Sequence, residues 1–342
     1  MKNYRNNIVK KPFLTRREFL GVTLAGSVAA FSIMKLPVLY KNFKYRTETF
    51  IAKTDNYTVD FSKIIVSGFR EIGITPRELK GKRILLKPNL VETHKGAIHI
   101  NTHPMVIHGA VEAFLNFGAK EVLIAEGPGH CRDSFLLVEE SGLSHVLKEN
   151  PIRFIDINYD DVYSMQNLGG MSGLGNNMVL PKILKNVDWI VSMAKMKTHH
   201  WAGVTLSMKN MFGIMPGSYY GWPKNVLHWA GINQSIFDIN ASIKPHFAIV
   251  DGVVGMQGDG PIMGEPKNSG LLVMGRSLPA VDATCARLMG INPYKVPHLA
   301  AAHQQLGTIN KIFIQQRGEN LALLKNQYTL IDAIPAHQGI RL

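Results

Sequence analysis

The chain has 342 residues, 46% of them hydrophobic and 18% charged, and a net charge of +13 at neutral pH. That is ample apolar material for one large domain or two small ones, and it excludes a disordered tail. Two cysteines, Cys131 and Cys285, are too few for a disulfide-dense scaffold, a four-thiolate zinc site or a four-cysteine iron–sulfur cluster, so no iron–sulfur cluster is expected.

The charge sits at one end. Residues 1–46 hold ten Lys/Arg and one acid, whereas the rest holds 28 basic and 24 acidic residues. A body so close to neutral offers no footprint for a nucleic-acid backbone, and no nucleic-acid partner is expected. Thr15-Arg16-Arg17-Glu18-Phe19-Leu20 precedes an uncharged run from Gly21 to Met34, which Lys35 and Pro37 close. Paired arginines ahead of a short apolar segment describe a twin-arginine export signal. Residues 1–36 are therefore expected to be a signal or anchor that engages the twin-arginine translocase. The protein would be exported, periplasmic or otherwise extracytoplasmic, and would meet the membrane only through this segment. The twin-arginine route carries folded proteins, so a cofactor loaded before export fits it.

Residues 37–78 read as a leader, 79–310 as an α/β domain and 311–342 as a C-terminal strand extension. Apolar runs predict strands at 83–87, 121–125, 153–157, 189–194, 247–254, 270–275 and 311–315. Between them, amphipathic spacing predicts helices at 103–117, 133–140, 206–212, 232–243, 278–289 and 297–306, with His103-Pro104 opening the first and Gly118 ending it. This alternation implies an α/β fold of one or two lobes, a mostly parallel sheet flanked by helices. The loop Gly169–Gly175 follows no clear strand and reads as a flexible excursion.

In such sheets ligands bind beyond the carboxyl ends of strands. Polar side chains gather where four of these strands end. Lys87 and Asn89 follow the first, and Glu126-Gly127-Pro128-Gly129-His130 the second. Lys195, Lys197, His199 and Thr205 follow the strand at 189–194. Asp251 opens a glycine loop that contains Gly258 and Gly260. The stretch 195–209 holds three lysines and two histidines without a carboxylate, which suits a small anionic, carboxylate-type ligand. Lys209 lies among Met208, Met211 and Phe212, and Asn210 is beside it; partial burial there would lower the amine's pKa, as a covalent or proton-transferring lysine needs. His130, His199 and His228 stand out among thirteen histidines because each adjoins a Gly/Trp-rich turn. Asp282, on the helix at 278–289, reads as structural, and Cys285 as core.

Leu85-Leu-Lys-Pro-Asn89, Lys195-Met-Lys-Thr-His199, Gly203-Val-Thr-Leu-Ser-Met-Lys-Asn210, Asp251-Gly252, Gly258-x-Gly-Pro261 and Ala280-Val-Asp282 resemble the family catalogued as domain of unknown function 362, over roughly residues 80–305. A second set is similar to the nickel-pincer lactate racemase family: Glu126-Gly-Pro-Gly-His130, then His199-x-x-x-Gly203 with Lys209, then Pro216-Gly217 and His228. That resemblance implies a pyridinium-derived nickel cofactor on Lys209, His130 and His199 as the acid/base pair and His228 as a nickel ligand. Leu206-Ser207 replaces the adjacent glycines that family carries before its lysine, and its substrate-arginine motif has no match. The expected function is an exported enzyme that binds a small carboxylate and moves a proton or hydride beside it. The alternative is a non-catalytic anion- or metal-binding protein of the cell envelope.

Overall fold

The structure, a computed structural model, describes residues 46–342 apart from 94, 131, 150, 151 and 325. The expected signal at 1–36, the start of the leader and Cys131 lie outside the described residues. No described helix is long and apolar enough to cross a membrane.

The described residues form eleven strands: β1 (Thr47–Lys53), β2 (Arg83–Pro88), β3 (Glu121–Glu126), β4 (Arg153–Asp156), β5 (Val162–Gln166), β6 (Asn177–Pro181), β7 (Trp189–His199), β8 (Gly203–Thr205), β9 (Phe247–Gln257), β10 (Glu265–Gly275) and β11 (Ile314–Gly318). The main sheet runs β11-β1-β10-β9-β7-β2-β3-β4, with β8 folded back on β7. The pairings β9-β7, β7-β2, β2-β3 and β3-β4 are all parallel, and β10 is antiparallel to both β9 and β1. The mostly parallel α/β sheet expected from the sequence is thus present.

Strand parity builds the two layers. Ile84, Leu86, Val191, Met193, Phe247 and Ile249 enter a core with Phe61, Ile65, Phe69, Ile107 and Phe114. These come from the helices Phe61–Glu71 and Pro104–Asn116, started by caps at Asp60 and His103. Leu85, Ile190, Ala194, Ala248 and Val250 face the other way, onto Met208, Ile236, Ile239, Val281 and Cys285. Strands buried on both faces read as continuous apolar runs, which is why they were visible in the sequence.

The chain leaves β2 toward β3 and β4, then returns to lay β7 and β9 on β2's other side. The direction of strand addition therefore reverses between β2 and β7, where an open α/β sheet leaves a crevice at its carboxyl edge.

Three expectations are corrected. From Thr47 onward the presumed leader is part of the sheet: β1 lies between β10 and β11, with Phe50 opposite Met274 and Thr47 opposite Ile314. Residues 311–313 form a short 3-10 turn, so the last strand starts at Ile314. The Gly169–Gly175 loop closes the hairpin of β5 and β6 and is tied down, not flexible. Buried Asp238 accepts the backbone N–H groups of Met171 and Ser172, the Ser172 hydroxyl and the Asn167 amide. A Cβ at Gly169 would collide with Asp238.

Candidate functional site

A cavity of about 510 Å³ opens at the carboxyl ends of β2, β3 and β7, at the reversal point. Of the residues singled out in the sequence, Lys87, Asn89, His130, His199, Thr205, Lys209, Asn210 and His228 line it. Lys195, Lys197, Asp251, Gly258 and Gly260 do not.

Parity explains the exclusion of Lys195 and Asp251. They are neighbours across β7 and β9 and share the register of Val191, Met193, Phe247 and Ile249, whose side chains enter the core beneath the helices at 61–71 and 104–116. There Lys195 Nζ donates to Asp251 Oδ2 at 2.7 Å and to Tyr57 Oη at 3.0 Å. Asp251 also accepts from Tyr57 Oη and from the backbone N–H groups of His103 and Val253. Both charged residues are 0% exposed, and every short contact is made inside the protein. Burial lowers the Lys195 amine from its ordinary range, against the pull of Asp251.

Lys197, Gly258 and Gly260 build a wall. Lys197 Nζ donates to the carbonyls of Ile100 (2.9 Å) and Pro261 (3.1 Å). Thr198 Oγ1 donates to Gly258 O, and His200 N to Gly260 O. A Cβ on Gly260 would overlap the Thr198 carbonyl, so only glycine lets this loop lie against β7.

The floor of the cavity is a second ion pair. Lys87 Nζ donates to Glu126 Oε2 (2.7 Å), Asn210 Oδ1 (3.0 Å) and Pro88 O (2.9 Å), which uses all three of its protons. Glu126 further accepts the backbone N–H groups of Leu90 and Gly127. Asn210 donates its amide to Lys87 O and Ser192 Oγ. Lys87 and Asn210 are therefore braced by the protein itself. The brace requires Gly213, where a Cβ would lie 2.7 Å from Lys87 Nζ and closer still to Glu126.

Lys209 differs. The helix Ser207–Asn210 that carries it is fixed by Asp282, which accepts the N–H groups of Ser207 (2.8 Å) and Met208 (2.9 Å) and the Ser207 hydroxyl. Asp282 is thus structural, as the sequence suggested, and burial pushes its carboxyl up to about 7. Lys209 Nζ lies 4.0 Å from the Phe212 ring centroid and makes no hydrogen bond among the described residues. Burial, then the Lys87 charge, lowers its amine to about 7. Lys224, which sequence reasoning missed, reaches the cavity from a left-handed turn (φ 66°). Its Nζ donates to Gly127 O (2.6 Å) and Gly213 O (2.8 Å), and burial brings it to about 7 as well. Nothing in Trp222-Pro223-Lys224-Asn225 signals this role; only the fold brings it opposite Glu126-Gly127.

The histidines divide by tautomer. His199 Nδ1 accepts from the N–H groups of Trp201 (3.0 Å) and Ala202 (3.3 Å), so the neutral ring carries its proton on Nε2. Burial, then Lys209, holds it well below the usual histidine range. His228 Nδ1 lies 3.1 Å from Lys224 O, a pure acceptor, so Nδ1 is protonated and Nε2 is a bare lone pair. Burial, then Lys209, lowers this ring to about 4. His130 is exposed at the cavity mouth. At the rim His200 Nδ1 meets Asp259 Oδ1 at 3.2 Å. Two lining atoms, Asn89 Oδ1 and Thr205 Oγ1, are buried without a hydrogen-bond partner among the described residues. Such atoms are costly unless a ligand or water satisfies them.

The fold and this crevice define an α/β protein with a cationic cavity at the carboxyl edge of its sheet. The model of the domain of unknown function family DUF362 matches residues 84–287, and the chain belongs to that family. It is 26% identical over 241 residues to the thylakoid-associated protein sll1697 of Synechocystis, covering 66% of this chain and 68% of that one. Two solved structures match at 14% identity and a TM-score of 0.40. One is a Thermotoga maritima protein, with 68% of this chain and 59% of that chain covered. The other is the lactate racemase apoprotein of Thermoanaerobacterium thermosaccharolyticum, with 72% and 58% covered. The chain thus spans less than two thirds of the length of either solved structure.

Proposed function

We propose that this protein is an exported enzyme that binds a carboxylate in the cavity and moves a proton at the adjoining carbon. The observation that carries the reading is the pair of cavity lysines, Lys209 and Lys224, in the same lining as Asn89 Oδ1 and Thr205 Oγ1, two atoms that lack partners among the described residues. An anion would bring both amines to their charged form and would accept from Thr205, while a ligand hydroxyl would donate to Asn89.

The tautomers divide the proton work. His228 Nε2 takes the carbon-bound proton, and His199 Nε2–H donates to the oxygen on which negative charge grows. The same His228 nitrogen returns the proton to carbon, so the sequence balances. A bound carboxylate offsets the Lys209 charge that, after burial, depresses His228, and so strengthens the base when substrate is present. His130 at the mouth serves as the second exchanging group if the proton is returned from the opposite side.

A lysine-held nickel-pincer cofactor fits the residues present. Lys209 offers an amine without a hydrogen bond among the described residues, and His228 offers a bare nitrogen; with both committed to such a group, His130 would take the proton in place of His228 and Lys224 would hold the carboxylate. No cluster of three or more His, Cys, Asp or Glu among the described residues is placed to hold a metal, so a metal here would take its remaining ligands from the cofactor. When bound, such a group would supply an electron sink beside the reacting carbon.

The test is loss of the α-hydrogen of lactate and of mandelate in D2O, followed by proton NMR, with protein isolated from its native host. Wild type should exchange at least one of them, and His228→Gln should not exchange while still binding it. Binding of both without exchange would overturn the catalytic reading in favour of an anion-binding protein of the cell envelope. Binding of neither would overturn the anion reading itself.

A further inference from the structure

The lysines account for one end of the cavity. Its lining also includes apolar side chains that stand exposed. Trp201 is 55% exposed and Met263 78% exposed, and both line the cavity with Ile262. The Trp201 ring stands edge-on to His228 at 4.9 Å and to His200 at 4.8 Å, so this aromatic surface adjoins the proposed base.

The Met263 side is a built wall. Lys197 directs a fully buried amino group to the carbonyls of Ile100 and Pro261, and Gly260 packs directly on the Thr198 carbonyl. These contacts hold the turn before Ile262 and Met263 in place. Lys197 and Gly260, which stand back from the ligand themselves, thus shape the surface it meets.

Volume points the same way. Pockets of about 300–1,000 Å³ take ligands of drug size and cover most of their surface. At about 510 Å³, this cavity would be left largely empty by a two- or three-carbon acid.

Resting on the anion reading above, we infer that the ligand is an amphiphile, an anionic head joined to an apolar body of at least aromatic-ring size. Its head lies on Lys209 and Lys224, and its body lies between Trp201 and Met263. Burying such a body removes apolar surface of both partners from water, a gain that acetate cannot supply.

The test is isothermal titration of the full chain with acetate, 3-phenylpropanoate and 3-phenylpropanamide. The phenyl acid should bind at least 10-fold tighter than acetate and at least 10-fold tighter than its neutral amide. Met263→Ser and Trp201→Ala should each reduce the first ratio. Equal affinity for acetate and the phenyl acid would overturn the inference and leave the anion reading standing. An amide that binds as well as the acid would instead overturn the anion reading.

Discussion

Two groups of lysines, buried or half-buried, lie on opposite sides of the same sheet, and they contrast in what surrounds them. Lys195 is enclosed with Asp251 and Tyr57 and has a carboxylate at 2.7 Å. Lys209 has an aromatic face at 4.0 Å, no hydrogen bond among the described residues and an open cavity before it. Both amines are lowered by desolvation, so lowered basicity alone does not separate a structural lysine from a functional one. What separates them is whether the protein supplies the acceptors. Lys87 shows the intermediate arrangement: it lines the cavity, yet all three of its protons are spent on Glu126, Asn210 and Pro88.

The sharpest way to break this contrast is Asp251→Asn. It leaves Lys195 buried without its counter-charge, which costs about 3–5 kcal/mol for a pair of this kind. Chemical denaturation should show a loss of that order. An unchanged midpoint together with weakened anion binding would place this pair in the site after all.

A smaller effect should come from pH. Lys209 and Lys224 give up their protons near 7 in the fold but near 10.4 when unfolded, so between those values the unfolded chain holds more protons. Stability of the ligand-free protein should therefore rise with pH from about 7 toward 10. Affinity for 3-phenylpropanoate should move oppositely, falling as pH rises from 6 to 8 and the ammonium groups discharge. Lys209→Met should flatten both slopes and weaken the acid by at least about 10-fold, the value of one charged hydrogen bond. Calorimetry across pH checks both signs, and affinity that rose with pH would dissolve the distinction between the two lysine groups.

The smallest effect belongs to His200→Gln. The His200–Asp259 contact is at the rim, with side chains 35% and 47% exposed. Exposed pairs contribute about 0–1 kcal/mol, so the denaturation midpoint should barely move. A large loss would mean that the rim pair, like Lys195–Asp251, belongs to the frame.

Much of the architecture was legible in the amino-acid order because the central strands are buried on both faces. Runs such as Arg83–Pro88 and Phe247–Gln257 announce themselves by composition. Thr47–Lys53 and the hairpin of Val162–Gln166 with Asn177–Pro181 do not, since their polar and half-buried residues resemble loop. The lysine- and histidine-rich stretch named Lys209, His199 and Thr205, which line the cavity. It could not tell which lysines the protein satisfies internally, because that depends on parity in β7 and β9 and on carbonyls far away in the chain. Asp251 looked like a site acid because the glycines after it read as a loop, but β9 runs on to Gln257, which puts the carboxylate inside a strand and on the face away from the cavity. Lys224 was invisible because a left-handed turn, and not a motif, delivers it.

Because the cavity sits where the sheet reverses its winding, its walls come from residues between Lys87 and Met263, with no contiguous stretch containing the whole of it. The pocket exists only once the β2–β7 seam has closed. Occupancy is consequently a readout of completed folding, and a fragment that ends before β7 has half a basin and nothing to hold in it.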